Sequence, residues 1–326
     1  MAKVTIVTEH DLSNPNGSTV RPKWEYKALK KNGFKDIEII DNFDQTKAKK
    51  ISNTLIHAQQ LSARLLEGTK YIVDIHGIEH IQSSNLSRGF PVYSWKKYAY
   101  KAKSTYYKRI ETQMFKNSRH LICSSEDIQE KVKKYQNTTL VRNAVFLDEF
   151  NSTNCTELKV ALVGPFLPGT LNFNGLPLIK NVIKELPKIQ FVFIGKTSKE
   201  FKNQLMFDNV KFLGVVNNYA EVLSSCSVLL APYPEHSVYL GSKNKFLEAA
   251  ASKMPIITTP SGAVDFRNDL LMIGKDSKKL RELIMSLQDE NTRKELGTKL
   301  QNEIIEKFNA EVEIKKLIKV YKENMN

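Results

Sequence analysis

The stretch Leu229–Pro260, LLAPYPEHSVYLGSKNKFLEAAASKMPIITTP, predicts a strand, a loop, a helix and a second strand. Leu229–Ala231 closes an apolar run, and residues 232–240 lack an apolar period. A helix is predicted from Gly241–Ser242 to about Lys253, followed by the buried strand IITT. Free backbone N–H groups at a helix start carry partial positive charge and bind phosphate readily. The stretch therefore predicts a parallel α/β domain with an anion site at a helix start.

Three charged side chains accompany this helix. Lys243 and Lys245 add two positive charges beside its start, and Glu248 lies on a turn that is otherwise apolar. A carboxylate held in this way can accept hydrogen bonds from two sugar hydroxyls. An ordinary amphipathic helix would give the same LEAAAS pattern, so that interpretation stays open.

The segment 241–262, GSKNKFLEAAASKMPIITTPSG, resembles the nucleotide-sugar motif of the retaining family 4 glycosyltransferases with the GT-B fold. The motif is usually written G-T-R-x-K-x-L-E-A-M-A-x-G-x-P-V-V-x-T. The residues that fall on it without a gap include Gly241, Ser242, Lys243, Lys245, Leu247, Glu248, Ala249 and Pro255. The resemblance implies that Glu248 holds the ribose hydroxyls of a nucleotide-sugar donor. It also implies that Gly241–Ser242 and Lys245 face the donor sugar and pyrophosphate.

Two departures from the family pattern bear on activity. Many relatives carry a second Glu eight residues before Glu248, but here that residue is Leu240, which excludes catalysis by that group. Relatives often clamp the donor phosphates with an Arg and a Lys, and these positions are here Gly164–Pro165 and Asn174–Gly175. Phosphate neutralisation would then fall to the helix start, Lys243 and Lys245. A protein that binds the donor without turnover therefore stays open.

Composition favours a globular protein with an anionic partner. The 326 residues suffice for two domains, and 41% are hydrophobic. The net charge of +14 suits a nucleotide, a phosphoprenyl lipid, a membrane surface or a nucleic acid. The sequence has no evident signal peptide, no apolar run near the roughly 20 residues needed to span a bilayer, and three cysteines without metal spacing. We therefore expect a cytoplasmic location.

The N-terminal half contains two candidate site residues. Its β-loop-α-β opening resembles the GT-B N-terminus, in which a glycine-rich loop after strand one faces the acceptor cleft, and Gly17 would be that glycine. The strand Tyr71–Ile75 carries Asp74 and ends at His76, where parallel sheets bind ligands. The resemblance implies that His76 contacts the donor sugar. A simple turn at Gly17 and a local hydrogen bond of His76 explain both residues equally well.

Three further segments of this half give distinct predictions. Apolar residues on one side of the segment 44–67 predict a long helix, and the polar segment Ile78–Pro91 predicts a flexible loop. Tyr93–Lys116 predicts a helix that mixes cations with aromatic side chains, among them Trp95, Tyr98, Tyr100, Tyr106 and Tyr107. Such a helix can contact a membrane surface, bind a phosphate-rich acceptor or stack nucleic acid bases. Aromatics that face the protein's own core would give the same pattern.

The C-terminal half alternates strands and helices regularly after a polar segment, 148–157, that predicts a linker. By the resemblance, Gly164 lies on the donor side, and Gly195, Gly214 and Val215 lie beside the nucleotide base. Glycines that end strands for packing reasons are an equally good interpretation. The last helix, about 310–325, resembles the family's terminal helix, which crosses back onto the first domain.

Together these patterns predict an α/β protein of the GT-B type, with two Rossmann-like parallel-sheet domains facing a cleft. We predict an acceptor-side domain over 1–150, a nucleotide-sugar domain over 151–307, and a terminal helix over 308–326 that packs on the first domain. The resemblance implies transfer of a sugar from a nucleotide sugar to a glycan, lipid-linked or other acceptor, with retention at the anomeric carbon. It implies no metal and no other cofactor, and the catalytic residues are not identified.

Alternatives from other classes stay open. The same scaffold could carry an epimerase or a phosphorylase, or a degenerate protein that only binds the nucleotide sugar. A basic nucleic-acid-binding protein is a further alternative, although nucleic acid is the less favoured partner. We also expect peripheral contact of helix 93–116 with the inner membrane face.

Overall fold

The computed structural model describes residues 3–13, 17–52, 54–66, 68–235, 243–263, 266 and 269–325. The chain divides into two compact units, one of residues 1–144 with 308–326 and one of residues 145–238 with 243–307. The division at Ala144 and Val145 comes just before the predicted linker 148–157. No helix in the described part is long and apolar enough to cross a membrane.

The N-terminal unit is built on a parallel sheet. Its strands are β1 (Lys3–Val7), β2 (Ile37–Ile40), β3 (Thr54–Gln59), β4 (Tyr71–Ile75), β5 (His120–Cys123) and β6 (Thr138–Leu140). Their order in the described sheet is β2-β1-β3-β4-β5-β6. The helices are α1 (Gly17–Lys31), α2 (Gln45–Ala48), α3 (Glu79–Arg88), α4 (Trp95–Asn117) and α5 (Glu126–Val132), with a 3-10 helix at Gln60–Leu65.

The C-terminal unit repeats this architecture. After a 3-10 helix at Leu147–Glu149 come β7 (Lys159–Val163), β8 (Gln190–Ile194), β9 (Val210–Gly214), β10 (Val228–Ala231), β11 (Ile256–Thr258) and β12 (Met272–Ile273). They form a parallel sheet in the order β12-β11-β10-β7-β8-β9. The helices are α6 (Leu171–Asn174), α7 (Leu176–Glu185), α8 (Lys199–Asn203), α9 (Tyr219–Ser224), α10 (Asn244–Ala251), α11 (Ser277–Ser286) and α12 (Glu290–Lys307). The last helix, α13 (Ala310–Asn324), belongs to the N-terminal unit.

Local sequence explains several element boundaries. Helix α1 ends before Gly33, whose φ of 80° suits glycine. Side chains of Asp44, Ser125, Ser198 and Asp276 accept backbone N–H bonds at the starts of α2, α5, α8 and α11. Central strands such as β4 and β10 are buried along their whole length, as expected of parallel sheets covered on both faces.

The predicted long helix over 44–67 is wrong. The segment forms the short helix α2, the central strand β3 and a 3-10 helix. Strand β3 reads TLIHAQ, and its polar His57 and Gln59 break the continuous apolar run that usually marks a buried parallel strand. Both side chains are buried and bond to residues distant in the sequence, His57 to Tyr321 and Gln59 to Glu25. The local sequence therefore does not reveal this buried strand.

The predicted flexible loop over Ile78–Pro91 is also wrong, because residues 79–88 form α3. The start of α3 is satisfied by Glu111 on α4, which accepts hydrogen bonds from the backbone of Glu79 at 2.7 Å and of His80 at 3.2 Å. This cap lies far away in sequence, so no local capping residue marks the helix.

Other predictions agree with the structure. The two-domain parallel α/β fold is confirmed, and the predicted helix over 93–116 is α4. Helix α10 is shorter than predicted: it begins at Asn244, after an extended Lys243, and ends at Ala251.

Candidate functional site

The strand order of the second sheet identifies where a ligand should bind. From β7 the chain proceeds through β8 and β9 on one side, and through β10, β11 and β12 on the other. In open parallel sheets, ligands bind outside the carboxyl ends of the strands at this switch point. The carboxyl ends of β7 and β10 are followed by Gly164 and Pro232. Gly175, at the start of α7, has no room for a side chain because a Cβ would lie 2.5 Å from the Pro232 carbonyl.

Three predicted glycines lie in a row along this edge. Gly164, Gly195 and Gly214 end the neighbouring strands β7, β8 and β9 and all have positive φ. A Cβ on Gly195 would lie 2.0 Å from the Gly164 carbonyl oxygen, so these two backbone segments touch. The Gly195 N–H donates to the Gly214 carbonyl at 2.7 Å. Val215 follows with 65% of its surface exposed, which leaves an apolar side chain at the end of the row.

Glu248 is held by a tyrosine that the sequence did not indicate. It lies half-buried on α10 between the buried Leu247 and Ala249. The Tyr219 hydroxyl, from the first residue of α9, donates to Glu248 Oε2 at 2.6 Å. Burial raises the pKa of Glu248, against the lowering effects of Tyr219 and Lys245. The tyrosine ring in turn packs edge-on against Phe150, with centroids 6.5 Å apart. This support fixes one carboxylate oxygen at a defined position.

Lys245 reaches the end of β7. Its Nζ donates to the Val163 carbonyl and, at 2.8 Å, to Asn172 Oδ1. The Asn172 side chain also donates to the Pro165 carbonyl at 3.2 Å, which fixes the amide. Burial lowers the pKa of Lys245 to about 7. The Lys245 side chain nitrogen therefore lies beside Gly164, directly after β7.

Lys243 lies close to the same place and shares an aromatic ring with Lys245. The two Nζ atoms are 5.0 Å and 5.5 Å from the centroid of the Tyr233 ring. Lys243 also donates to the Gly262 carbonyl at 3.3 Å. The Tyr233 backbone is anchored in turn by Thr259, whose hydroxyl accepts from its N–H and donates to its carbonyl. Two cations are thus gathered at the carboxyl edge of β10 and β7.

The sequence-predicted residues Gly241 and Ser242 lie outside the described residues, as does Leu240. Sequence reasoning missed Tyr219 and Tyr233 as site residues. Tyr233 had one signal, its place directly after the strand β10, whereas nothing near Tyr219 in the sequence indicates a contact with Glu248.

In the N-terminal unit, His76 follows β4 and is buried. Burial lowers its pKa to about 3, so the imidazole is neutral at physiological pH. Its Nε2 lies 3.7 Å from Asp74 Oδ1 and has no hydrogen-bond partner among the described residues. Gly17 is the first residue of α1 rather than part of a preceding loop.

A buried polar cluster surrounds Asp74, which lies close to His76. Arg21 Nε donates to both oxygens of Asp74, at 3.0 and 2.9 Å, and lies 3.2 Å from Glu25. Burial alone would raise the pKa of Asp74, but Arg21 and the imidazoles of His76 and His57 hold it well below its usual value. Burial and the Asp74 charge raise the pKa of Glu25 well above its usual value. The cluster therefore holds one ionised carboxylate paired with one guanidinium.

A known family model matches part of the C-terminal half of the chain. Residues 167–290 match the model described as glycosyl transferases group 1. The prediction of a glycosyltransferase domain is thereby confirmed. No curated protein matches the chain significantly.

Solved structures show the same fold over the whole chain. The sucrose-phosphate synthase of Thermosynechococcus elongatus is 14% identical, with a TM-score of 0.78 over 99% of each chain. Anabaena Alr3699/HepE in complex with UDP-glucose is 12% identical, with a TM-score of 0.71 over 99% of this chain and 100% of that one. WaaG, a glycosyltransferase involved in lipopolysaccharide biosynthesis, is 12% identical, with a TM-score of 0.72 over 97% of this chain and 99% of that one. The chain thus has the two-domain α/β fold of GT-B glycosyltransferases.

Proposed function

We propose that the protein transfers a sugar from a nucleotide-sugar donor to a glycan, lipid-linked or other acceptor, with retention of the anomeric configuration. The observation that carries this proposal is that Lys245 lies beside Gly164 at the switch point of the second sheet, while Glu248 on the same helix is held by Tyr219. That edge offers hydrogen-bond acceptors, cations and exposed backbone, which are the groups that a nucleoside diphosphate needs.

Each part of the donor has a matching group. Glu248 accepts hydrogen bonds from the ribose hydroxyls, and Lys243 and Lys245 neutralise the pyrophosphate. The base lies against the backbone of Gly195 and Gly214 and the side chain of Val215. Since Alr3699/HepE is described in complex with UDP and with UDP-glucose, a uridine diphosphate sugar is the first donor to test.

The proposed catalysis is electrostatic stabilisation of the leaving group. Cleavage of the bond between sugar and pyrophosphate leaves negative charge on the leaving phosphate. Cations already oriented at that place stabilise this charge in the transition state, without reorganisation. Lys245 supports this role because it lies beside Gly164–Pro165, the position of the absent arginine. On this proposal, Lys245 of the segment 241–262 neutralises the donor phosphates in place of the absent arginine.

We assign Gly17 and His76 of the N-terminal unit to the donor-sugar or acceptor side of the reaction. Gly17 is the first residue of α1, and His76 directly follows β4. A neutral His76 can exchange hydrogen bonds with sugar hydroxyls but carries no charge to them.

Transfer proceeds without a bound metal. Among the described residues, the group that could hold one is Glu25, His57 and Asp74. It is fully buried, and Arg21 already neutralises the Asp74 carboxylate. These residues therefore fit a paired structural cluster better than an exchangeable metal centre.

The experiment is a screen of the purified protein with UDP-, GDP-, ADP-, dTDP- and CMP-sugars, read out by thermal shift and by nucleotide release. One nucleotide class should raise the melting temperature and release nucleotide at a rate that chelation by EDTA does not change. The anomeric proton of the product, observed by NMR, should show retention. A thermal shift without turnover would support a degenerate binder, and no response to any donor would overturn the proposal.

A further inference from the structure

Helix α4 exposes an unusual set of aromatic side chains. Trp95, Tyr98 and Tyr106 are 73%, 55% and 60% exposed, and Tyr93 just before the helix is 90% exposed. Large exposed apolar groups that cluster on one element usually mark an interaction site. Of the five aromatics Trp95, Tyr98, Tyr100, Tyr106 and Tyr107, the interpretation that they face the protein's own core holds only for the half-buried Tyr100 and Tyr107.

The exposed aromatics share one face. A helical turn takes about 3.6 residues, so positions three or four apart lie above one another. The stripe formed in this way is Trp95, Tyr98, Ala102, Tyr106 and Arg109, which we call the outer stripe. The opposite side of α4 contacts its own unit: Tyr100 stacks on Phe90 and the Ser104 hydroxyl donates to the His80 carbonyl.

Positive charge surrounds the outer stripe. The cations of α4 are Lys96, Lys97, Lys101, Lys103, Lys108, Arg109 and Lys116. Lys96 and Lys103 run along one side of the stripe and Lys101 and Lys108 along the other, because members of each pair are seven residues apart. The single carboxylate of the helix, Glu111, is buried and caps α3. The exposed face of α4 therefore carries no carboxylate of this helix.

We infer that the outer stripe of α4 docks on the surface of an anionic phospholipid bilayer. Tryptophan and tyrosine rings settle at the headgroup level, while flanking lysines extend toward lipid phosphates. Lys108, Arg109 and Lys116 are exposed on the second half of the same helix. This inference goes beyond the proposed reaction, since it concerns where the protein works rather than what it transfers.

A bilayer fits this face better than a nucleic acid does. Proteins that stack single-stranded bases combine aromatic platforms with a positive groove that follows the backbone. The outer stripe instead lies on the convex face of one helix, with Ala99 and Ala102 between the rings. Rings on a convex face enter a lipid interface together, as in amphipathic surface helices.

The test is co-sedimentation of the full chain with vesicles of phosphatidylcholine alone or mixed with phosphatidylglycerol, in the absence of any donor. We expect binding to the anionic vesicles only, weakened by added salt. The triple variant Lys101→Gln, Lys103→Gln, Lys108→Gln should reduce the partition coefficient at least about tenfold. The matched control Lys180→Gln, Lys184→Gln, Lys188→Gln removes the same charge from exposed positions around α7 and should bind nearly as the wild type does.

The aromatic residues are tested separately with Trp95→Ala, Tyr98→Ala, Tyr106→Ala, which should lower the partition coefficient about tenfold at unchanged net charge. Circular dichroism melting verifies that each variant is folded, as expected for exposed positions. Absence of binding to anionic vesicles, or equal losses in the α4 and α7 lysine variants, would overturn the inference. Preference for single-stranded RNA over vesicles would overturn it in favour of a nucleic-acid partner. Because no donor is present, these outcomes are independent of the proposed transfer reaction.

Discussion

At the scale of single residues, Lys245 gives the site a defined pH dependence. Burial lowers its pKa to about 7. In the protein without donor, the Lys245 side chain is therefore charged below that pH and increasingly neutral above it. A bound pyrophosphate favours the charged form and raises the pKa, so binding takes up a proton above about pH 7. Above about pH 7, the affinity for UDP should therefore fall with rising pH, by up to about tenfold per unit.

Isothermal titration across this range measures the effect. Lys245→Arg is the control, because its guanidinium stays charged throughout and should give a flat profile. A flat profile for the wild type would contradict a role for Lys245 as a phosphate ligand.

Tyr219 is predicted to position Glu248. The substitution Tyr219→Phe removes the 2.6 Å hydrogen bond to Oε2 and keeps the ring against Phe150. A hydrogen bond to a charged group contributes about 1.5–3 kcal/mol, so UDP affinity should fall about tenfold or more. Tyr106→Phe alters an exposed hydroxyl and serves as the control. An unchanged dissociation constant for Tyr219→Phe would mean that Glu248 does not need this support.

The sequence could predict the motif residues of this site but not their partners. Glu248, Lys243 and Lys245 follow one another on a recognisable segment. Asn172 and Tyr219 lie 73 and 29 residues away from the side chains that they contact. Only the order of strands in the sheet brings these residues together, so no local pattern reveals them.

At the scale of elements, Gly297 decides how closely α12 packs on the end of α10. A Cβ on Gly297 would lie 1.8 Å from the Lys253 carbonyl oxygen. An alanine inside a helix normally stabilises it by about 1 kcal/mol relative to glycine. Here the clash reverses the sign, and Gly297→Ala should lower the free energy of unfolding by about 1–3 kcal/mol.

Urea denaturation measures this change. The neighbouring exposed Thr298→Ala is the control and should alter the free energy of unfolding by less than about 0.5 kcal/mol. A higher free energy of unfolding for Gly297→Ala would contradict this prediction, and would mean that the backbones at residues 297 and 253 can move apart at little cost.

Element prediction succeeded where the signal was local and failed where it was not. The βα alternation of the C-terminal unit follows from buried apolar strands separated by turn residues. Strand β3 was hidden because His57 and Gln59 find buried partners only in the folded sheet. Helix α3 was hidden because its N-terminal cap, Glu111, comes from α4.

At the scale of the whole molecule, the last helix completes the N-terminal unit. Tyr321 on α13 lies 2.7 Å from His57 Nδ1 on β3, across 264 residues of sequence. The carboxylate of Glu313 also accepts from the Arg142 backbone at 2.7 Å. These bonds connect the two ends of the chain within one compact unit.

Tyr321→Phe should therefore destabilise the N-terminal unit. The variant leaves a buried His57 nitrogen without its partner, which costs about 1–3 kcal/mol. Calorimetry should show a lower melting temperature for the transition of this unit, while the C-terminal unit is unchanged. The exposed Tyr98→Phe is the matched control. Equal melting of Tyr321→Phe and wild type would mean that this bond contributes nothing to stability.

The resemblance of the sequence to glycosyltransferases predicted the two-domain parallel α/β fold. It could not predict the Arg21, Glu25 and Asp74 cluster, because buried charges from α1 and β4 meet only after the sheet has formed.

The most direct test of the central claim, that Glu248 holds the ribose of the donor, is a titration with UDP and with 2′-deoxy-UDP. We predict that the wild type binds UDP about tenfold more tightly than the deoxy form, since a hydrogen bond to a carboxylate is lost. Glu248→Ala should bind both weakly and equally, while Glu295→Ala, an exposed carboxylate on α12, should behave as the wild type. Equal affinities of the wild type for both nucleotides, or a preserved preference in Glu248→Ala, would contradict the claim.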